Sequence, residues 1–334
     1  MQAIAYRRKG PASEVLELVD LPAPIPGPGE VRVRVQYSGV NPSDTKSRAG
    51  VASAAMDHPL IVPHSDGAGV IDQVGLGVPR ARIGRRVWTY NAQWLRAQGT
   101  AADYVCLPSA QAVDLGDAVP LSVAASFGVP LMTAAHAVGS LGRLAGKRVL
   151  VTGAAGNVGL YALQLATRAG AQVAATVGSA ANARLARNAG AHAVANYRED
   201  WVDACEAFAQ GQGFDHVIEV DAAANAHAHG RLLAHGGTVV IYGSSQPTIP
   251  AAYRPLMATF GTLRFFIVYR LSATQRRAAL RRISTVLDDD TLLHPAIHEY
   301  APTHAADAHG THERFAGVLH HIMRDEDGRV RFAV

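Results

Sequence analysis

The chain has 334 residues, and at about 100–200 residues per domain this length indicates roughly two domains. Hydrophobic residues make up 49% and charged residues 17% of the sequence, so the chain has the apolar material for packed cores and is not a disordered protein. The net charge is only +4 and the basic residues form no stripe, so no nucleic-acid partner is expected. With Cys106 and Cys205 as its only cysteines, the chain cannot build a four-cysteine structural zinc site.

The first part of the chain, residues 1–125, is predicted to be an irregular β-rich domain. Short segments of alternating apolar and polar residues, such as VRVRVQYSGV and RIGRRVWTY, are separated by turns rich in Gly and Pro, such as LPAPIPGPGE. Alternation with frequent turn signals is typical of short half-buried strands.

The middle of the chain, residues 126–265, has a different rhythm, which begins at about residue 147. Short apolar segments such as KRVLVTG alternate with helical segments such as NVGLYALQLATRAG, and the sixth apolar segment is LRFFIVY. This alternation predicts a doubly wound α/β domain with a six-stranded parallel sheet. Residues 266–334 hold one more helix and a tail that ends in RVRFAV, and we expect them to return and complete the edge of the sheet and the first domain.

The motif VTGAAGNVG follows the first strand of this α/β domain and opens a helix. Its glycines, Gly153, Gly156 and Gly159, suit a tight turn in which the backbone approaches a pyrophosphate, and the helix N-terminus favours the phosphate charge. A glycine motif alone is a weak signal, but its place between a strand and a helix predicts a dinucleotide site.

The end of the second strand distinguishes NAD from NADP. An Asp or Glu about 20 residues after the motif would hold the ribose 2′-hydroxyl of NAD, but the segment AATVGSAANAR has no acid. Ser179, Asn182, Arg184 and Tyr197 offer hydrogen bonds or charge nearby. The sequence therefore favours NADPH over NADH. The alternative interpretation of Arg184 is that it is a solvated helix residue with no contact to the cofactor.

A series of blocks, in order and spacing, resembles the medium-chain dehydrogenase/reductase superfamily, and within it the zinc-free, zeta-crystallin-like quinone oxidoreductases. The blocks are NPSDTKSRAG, PHSDGAGVIDQVG, GTAADYV, FGVPLMTAAHAV, VTGAAGNVGLYALQLATRAGA and HGGTVVIYGSS. The resemblance implies a GroES-like β-rich substrate domain and a Rossmann dinucleotide-binding domain. It also implies that NADPH reduces quinones, through transfer of hydride or of single electrons. The resemblance further implies a homodimer whose subunits pair at the strand edge LRFFIVY.

The chemistry of the zinc-ligand positions supports the zinc-free branch. In the zinc alcohol dehydrogenases of this fold a Cys stands where this chain has NPSDT, and a ligand His stands at the position of Ser65. His64 is one place away, and a single imidazole without a thiolate is not a three-ligand catalytic zinc site. We therefore expect no metal, and an acceptor that needs no strong Lewis acid, such as a quinone or a conjugated carbonyl.

The resemblance also implies the catalytic residues Asn41, Lys46 and Thr133. Asn41 matches a family Asn that lines the substrate pocket, Lys46 occupies the place of a family Tyr, and Thr133 is expected to reach the nicotinamide. Two interpretations of Lys46 stay open: its ammonium group faces the nicotinamide or the acceptor oxygen, or it is a residue at the rim that extends into water.

The resemblance further implies a set of cofactor-binding residues, most of them at strand ends. They are Ala155, Gly156, Asn157, Val158 and Gly159 at the pyrophosphate, Gly178, Ser179, Asn182, Arg184 and Tyr197 on the adenosine side, Asn225, Tyr242, Gly243 and Ser244 at later strand ends, and Phe266, Ile267 and Val268 at the nicotinamide amide. Family members that prefer NADPH often have Lys at the position of Asn182, so Arg184 or Arg198 would have to compensate.

The remaining signals set the expected location and leave two alternatives. The chain starts without an apolar segment after its charged residues and has no run of 18 apolar residues, so we expect a cytoplasmic protein with no membrane partner. The scattered histidines of the tail have no regular metal-ligand spacing. An enone, 2-alkenal or enoyl reductase is the alternative enzyme, and a catalytically weak NADPH-binding structural or RNA-binding protein is the alternative from another class.

Overall fold

A computed structural model describes residues 1–51, 53–287, 291–314, 319–324 and 330–333. Side chains are described up to residue 310, so those of His312, His320 and His321 in the tail lie outside the description. The chain divides into two compact units, one formed by residues 1–129 and 296–334 and the other by residues 130–295. Segment 266–295 therefore belongs to the second unit, and the return to the first unit begins at Ala296.

The N-terminal part of the first unit is built on antiparallel strands. These strands are β1 (Gln2–Ala5), β2 (Glu17–Asp20), β3 (Glu30–Gly39), β4 (Asp66–Val74), β5 (Arg86–Thr89), β6 (Tyr104–Pro108) and β7 (Ala112–Asp114). β1 pairs with β2, and the others form a five-stranded sheet in the order β6-β3-β4-β5-β7. Short helices lie between these strands, namely α1 (Ala12–Val15) and α2 (Pro42–Ala49), and α3 (Leu121–Ala124) follows the last of them.

Strand β3 shows why this part folds as a sheet. Val31, Val33 and Val35 alternate along it and are buried in one core, because successive side chains of a strand point to opposite faces. On the other face Arg32 donates two hydrogen bonds to Asp72 of β4, at 3.0 and 2.8 Å. The apolar alternation and this cross-strand pair specify the same register.

The second unit holds a six-stranded parallel sheet between helices. Its strands are β8 (Arg148–Val151), β9 (Gln172–Val177), β10 (Ala193–Asn196), β11 (Phe214–Glu219), β12 (Leu233–Ile241) and β13 (Thr262–Phe265). Its helices are α4 (Met132–Gly139), α5 (Asn157–Arg168), α6 (Ala180–Asn188), α7 (Trp201–Phe208), α8 (Ala222–Leu232), α9 (Tyr253–Ala258) and α10 (Ala273–Leu287). The strand order β10-β9-β8-β11-β12-β13 is that of the dinucleotide-binding fold.

The sixth strand is shorter than the apolar run LRFFIVY suggests. β13 ends at Phe265, and Val268–Arg270 form a 3₁₀ turn. The neighbouring strand β12 ends at Ile241, whose carbonyl still accepts a hydrogen bond from the Phe266 N–H. Beyond that point β12 offers no further partner, so the apolar residues that follow leave the sheet.

The C-terminal part of the first unit contains β14 (Ile297–Tyr300), α11 (Ala305–Arg314), β15 (Leu319–Arg324) and β16 (Val330–Ala333). β15 runs parallel to β14 and antiparallel to β16. Ala305 and Ala308 of α11 share a core with Ile4 of β1 and Val62, so the last part of the chain packs onto the first.

Candidate active site

The carboxyl ends of the parallel strands bring most of the predicted cofactor residues to one edge of the sheet. Residue 152 and the glycine turn follow β8, Gly178 follows β9, Tyr197 follows β10, Gly243 follows β12 and Phe266 follows β13. Parallel strands share one carboxyl edge, and in doubly wound sheets ligands bind outside it. The structure thus brings together on one edge residues that lie between positions 152 and 266 of the chain.

The turn after β8 has the geometry that a pyrophosphate requires. Gly156 precedes the first residue of α5 in an extended conformation, and Asn157 is the first helical residue. A Cβ on Gly159 would come within 2.9 Å of the Ala154 Cα and closer still to the Gly153 carbonyl. The buried Asn157 Oδ1 has no hydrogen-bond partner among the described residues. A backbone approach that only glycine permits, and a buried acceptor without a donor, fit a bound dinucleotide.

The residues predicted for the adenosine side combine a helix cap with an exposed tyrosine. Ser179 precedes α6, and its hydroxyl accepts a hydrogen bond from the Asn182 N–H at 3.2 Å. Asn182 and Arg184 are exposed on this helix. Tyr197 is 49% exposed, and its ring lies so close to Gly178 that a Cβ there would be 2.5 Å from the Tyr197 Cζ.

The sequence analysis missed Glu219, the last residue of β11, which organises this edge. Glu219 is fully buried, and its Oε1 accepts hydrogen bonds from the Thr152 hydroxyl at 2.8 Å, the Asp221 N–H at 2.7 Å and the Asn225 amide at 2.9 Å. Its Oε2 lies 2.9 Å from the His229 Nε2. The predicted Asn225 therefore supports Glu219 inside the protein. An acid at the end of the buried segment GFDHVIEV was the signal in the sequence.

The later strand ends contribute a buried phenol and a close backbone approach. The Tyr242 hydroxyl has no hydrogen-bond partner among the described residues, and burial, with the nearby Glu219, raises the pKa of this phenol. A Cβ on Gly243 would collide with the Val220 carbonyl, and the Ser244 hydroxyl donates to the Gln246 carbonyl at 2.7 Å. In the segment after β13, Ile267 is exposed and Val268 is buried.

Helix α4 carries the predicted Thr133, which is 4% exposed in the first turn of the helix. His136 lies one turn further and its ring centroid is 4.7 Å from that of Phe266. Burial, together with the cationic Arg264 and Arg282, lowers the pKa of His136. The helix that carries Thr133 therefore contacts the segment that begins at Phe266, through His136.

In the first unit, Asn41 is held by two buried aspartates. Asn41 precedes α2, and its amide donates to Asp66 Oδ2 at 2.9 Å while its backbone N–H donates to Asp44 Oδ2 at 2.8 Å. The Val129 N–H also donates to Asp66 Oδ2 at 2.8 Å. Burial raises the pKa of Asp44 to about 7 and that of Asp66 well above its ordinary value. Asp66, which the sequence analysis did not single out, fixes the orientation of the Asn41 amide.

Lys46 differs from Asn41 in its surroundings. It is exposed on α2, whereas Asn41 is 1% exposed. The role of Lys46 at the nicotinamide, at the acceptor or at the rim stays a prediction.

His64 is part of a buried chain of hydrogen bonds. Its Nδ1 lies 2.9 Å from the Ser38 hydroxyl, and its Nε2 lies 2.9 Å from the Nε2 of His309. The His309 Nδ1 in turn accepts from Arg48 Nε at 3.3 Å, and Arg48 is fully buried. Both ring nitrogens of His64 are engaged, and a guanidinium group adjoins the pair. No group of three or more His, Cys, Asp or Glu among the described residues is placed to hold a metal ion.

No helix in the described part of the chain combines the length and apolar character needed to cross a membrane.

Comparison with known proteins identifies the family. Residues 27–117 match the alcohol dehydrogenase GroES-like domain, and residues 157–285 match the zinc-binding dehydrogenase domain. Human quinone oxidoreductase is 35% identical over 250 residues, which cover 73% of this chain and 74% of the human protein.

Solved structures agree over nearly the whole chain. The mycobacterial protein Rv1454c, solved as a complex with NADPH, superposes with a TM-score of 0.84 at 28% identity, covering 96% of this chain and 99% of that one. An NAD-dependent alcohol dehydrogenase superposes with a TM-score of 0.83 at 29% identity, with the same coverage. The chain is therefore an oxidoreductase of the medium-chain dehydrogenase/reductase family, in which it belongs with the zeta-crystallin-like quinone oxidoreductases.

Proposed function

We propose that this protein is an NADPH-dependent reductase that transfers hydride, or single electrons, to quinones without zinc. The observation that carries the proposal is the donor set around Asn41. An amide oriented by Asp66, and Ser65 at the position of a ligand His in the zinc enzymes, offer hydrogen bonds in place of metal ligands. The similarity to human quinone oxidoreductase supports the substrate class.

The preference for NADPH rests on the end of β9. Gly178 and the capping Ser179 follow this strand without a carboxylate, so nothing there repels a 2′-phosphate or selects a 2′-hydroxyl. Tyr197 and the exposed Arg184 are the groups that we propose to contact the phosphate.

The chemistry divides between the two sets of residues. NADPH, when bound, supplies the hydride. We propose that the turn 155–159 binds the pyrophosphate, that Asn225, Tyr242, Gly243 and Ser244 shape the adjoining edge, and that Thr133 with Phe266–Val268 holds the nicotinamide. The Asn41 amide has two N–H bonds and gives one to Asp66. Its side chain is also hydrogen-bonded to Asp44, so we propose that Asn41 lines the acceptor pocket, where the acceptor oxygen gains negative charge during reduction.

A homodimer through the β13 edge is part of the proposal. β13 is the last strand of its sheet, and Phe265 and Ile267 are 59% and 48% exposed. An edge strand with exposed apolar side chains is a surface that a second copy can extend. Changing Phe265 to Ser should shift the mass measured by light scattering from dimer to monomer, and an unchanged mass would contradict this interface.

A cytoplasmic location fits the cysteines. Cys106 and Cys205 form no disulfide, as expected in a reducing compartment. Burial raises the pKa of both thiols to about 12, which keeps them protonated and unreactive.

Steady-state oxidation of NADPH and NADH with a panel of ortho- and para-quinones and conjugated enones tests the function. The proposal predicts turnover with quinones and a lower KM for NADPH than for NADH. Turnover with enones alone would replace it with an enone or enoyl reductase. Binding of NADPH without turnover of any acceptor would favour a structural or RNA-binding role, and a lower KM for NADH would overturn the cofactor choice.

A further inference from the structure

The two elements that we place at the nicotinamide are joined by contacts that the cofactor motif does not explain. Helix α4 carries Thr133, and the segment after β13 carries Phe266–Val268. Both lie in the second unit. Three side chains with no predicted role, His136, Arg264 and Arg282, connect these elements to each other and to α10.

Arg282 reaches from α10 to the backbone of α4. Its Nη1 donates to the Ala135 carbonyl at 3.3 Å, and its guanidinium group occupies the space beside Gly139. A Cβ on Gly139 would lie 2.8 Å from the Arg282 Cζ. Glycine lowers the stability of a helix relative to alanine, so its presence in the last turn of α4 has a steric reason: it admits the guanidinium group to the helix backbone.

Arg264 and His136 connect α4 to the sixth strand. Arg264 of β13 donates through Nη1 to the Ser140 carbonyl at 2.6 Å, immediately after the last residue of α4. The Phe266 ring packs edge-on against the His136 ring. Two cationic donors at the C-terminal half of a helix also interact favourably with its dipole. The contacts of Arg264 and Phe266, on either side of Phe265, therefore hold the start of the Phe266–Val268 segment against α4.

We propose that Arg282 and Arg264 are positioning residues, which set the separation of Thr133 from the Phe266–Val268 segment and thereby the orientation of the nicotinamide ring. This role rests on the proposed function. Hydride transfer depends steeply on the placement of the reacting atoms, and a displacement of about 1 Å can cost on the order of 100-fold in rate. The adenosine-side residues lie at other strand ends and make none of these contacts, so NADPH affinity should be less sensitive than the rate.

Two variants disturb the Arg282 contact in different ways. Arg282→Met removes the guanidinium group, and Gly139→Ala displaces it while every charge is kept. Arg281→Met is the matched control, because Arg281 is exposed on the same helix. We expect the first two variants to lower kcat on the order of tenfold, with the KM for NADPH changed by less than about threefold, and the control to match the wild type.

A second measurement does not depend on the acceptor. The fluorescence lifetime of a reduced nicotinamide lengthens when the ring is immobilised, so the lifetime of bound NADPH reports its positioning. Arg282→Met and Gly139→Ala should shorten this lifetime toward that of free NADPH, with melting temperatures measured alongside to confirm folding. Arg264→Met should have the same effect.

The outcomes separate this role from the proposed function. Wild-type kcat and lifetime in Gly139→Ala and Arg282→Met would overturn the positioning role while the function stands. A parallel loss in Arg281→Met would overturn it too, because the effect would then reflect the charge of α10 in general. If the wild type turns over no quinone but the NADPH lifetime still changes in the variants, the positioning role stands and the proposed quinone substrate is wrong. Absence of NADPH binding by the wild type would overturn both.

Discussion

The two units position their predicted site residues by different means. In the second unit, the carboxyl edge of the sheet, where we propose that the cofactor binds, is made from backbone turns that follow parallel strands, and close contacts at Gly159 and Gly243 shape it. In the first unit, Asn41 is placed by side chains, namely the buried carboxyl groups of Asp44 and Asp66. A turn made from backbone is encoded locally, whereas a buried polar network depends on partners from distant parts of the chain.

This difference has energetic consequences. A glycine turn fails when a single Cβ is added, because its neighbours are backbone atoms that cannot move aside. A buried polar network fails when one partner is removed or changes its protonation state, because the remaining polar groups lose hydrogen bonds away from water. The predictions below test each behaviour, from the largest expected effect to the smallest.

The largest effect is expected at the glycine turn. Gly159→Ala would place a Cβ within 2.9 Å of the Ala154 Cα and force the turn open, at a cost of about 2–3 kcal/mol. NADPH affinity should fall on the order of 100-fold, as measured by fluorescence titration. Gly116→Ala is the control, because a Cβ there meets nothing within 4 Å. Unchanged binding in Gly159→Ala would show that the turn does not approach the cofactor.

In the buried chain of hydrogen bonds around His64, His309→Ala should destabilise the first unit by about 2–3 kcal/mol. The change removes the hydrogen bonds that His309 makes with the buried Arg48 and with His64. Urea denaturation, with hydrogen exchange of peptides from β3, measures the loss. His304→Ala, at an exposed position of the same region, should stay within about 0.5 kcal/mol of the wild type. Equal effects of the two changes would contradict a buried network.

The free energy of unfolding should depend on pH in part through the titration of Asp44. Burial raises its pKa from 3.8 to about 7, so the folded state binds more protons than the unfolded state between these values. Its contribution to stability is therefore fully present below about pH 4 and is lost as the pH rises toward about 7. Asp44→Asn should therefore make the stability fall less steeply with pH over this range.

The urea concentration at the midpoint of unfolding, measured between pH 4 and pH 8 for the wild type and Asp44→Asn, tests this prediction. Asp20→Asn, an exposed position on β2, is the control and should follow the wild type. An Asp44→Asn protein whose stability falls with pH as steeply as the wild type would show that Asp44 is ionised throughout.

The smallest effect is expected at Lys46, which is exposed on α2. Lys46→Met should change kcat/KM for a quinone by less than about twofold at any pH from 6 to 9, because a solvated side chain contributes little to a buried reaction. A loss that grows or disappears with pH would instead place the ammonium group at the acceptor or the nicotinamide.

The sequence predicted well what is encoded locally. The alternation of strands and helices predicted the six-stranded parallel sheet, and VTGAAGNVG predicted the turn after β8, because glycine spacing and apolar periodicity act over a few residues. The length of β13 was less predictable, since LRFFIVY is apolar throughout and the strand ends only where its neighbour β12 ends. The place where the chain returns to the first unit, Ala296, has no comparable local signal.

The partners of the site residues could not be predicted. Asn41 and Asp66 are 25 residues apart, and His64 and His309 are 245 apart, so no spacing rule connects them. Asp66 is an ordinary acid in the sequence, and Glu219 is marked there only by its place at the end of an apolar segment. Their burial and their donors identify both as organising residues. Likewise, Gly139 is one of 32 glycines until Arg282 is seen beside it.

The amino-acid sequence by itself determined the fold class, the family and the position of the glycine turn after β8. These depend on local backbone preferences and on the order of motifs along the chain. Only the tertiary structure decided which side chains orient Asn41, which carboxylate organises the strand ends and which arginines hold α4. Those contacts join residues distant in sequence, and their strength comes from exclusion of water, which exists only once the chain has packed.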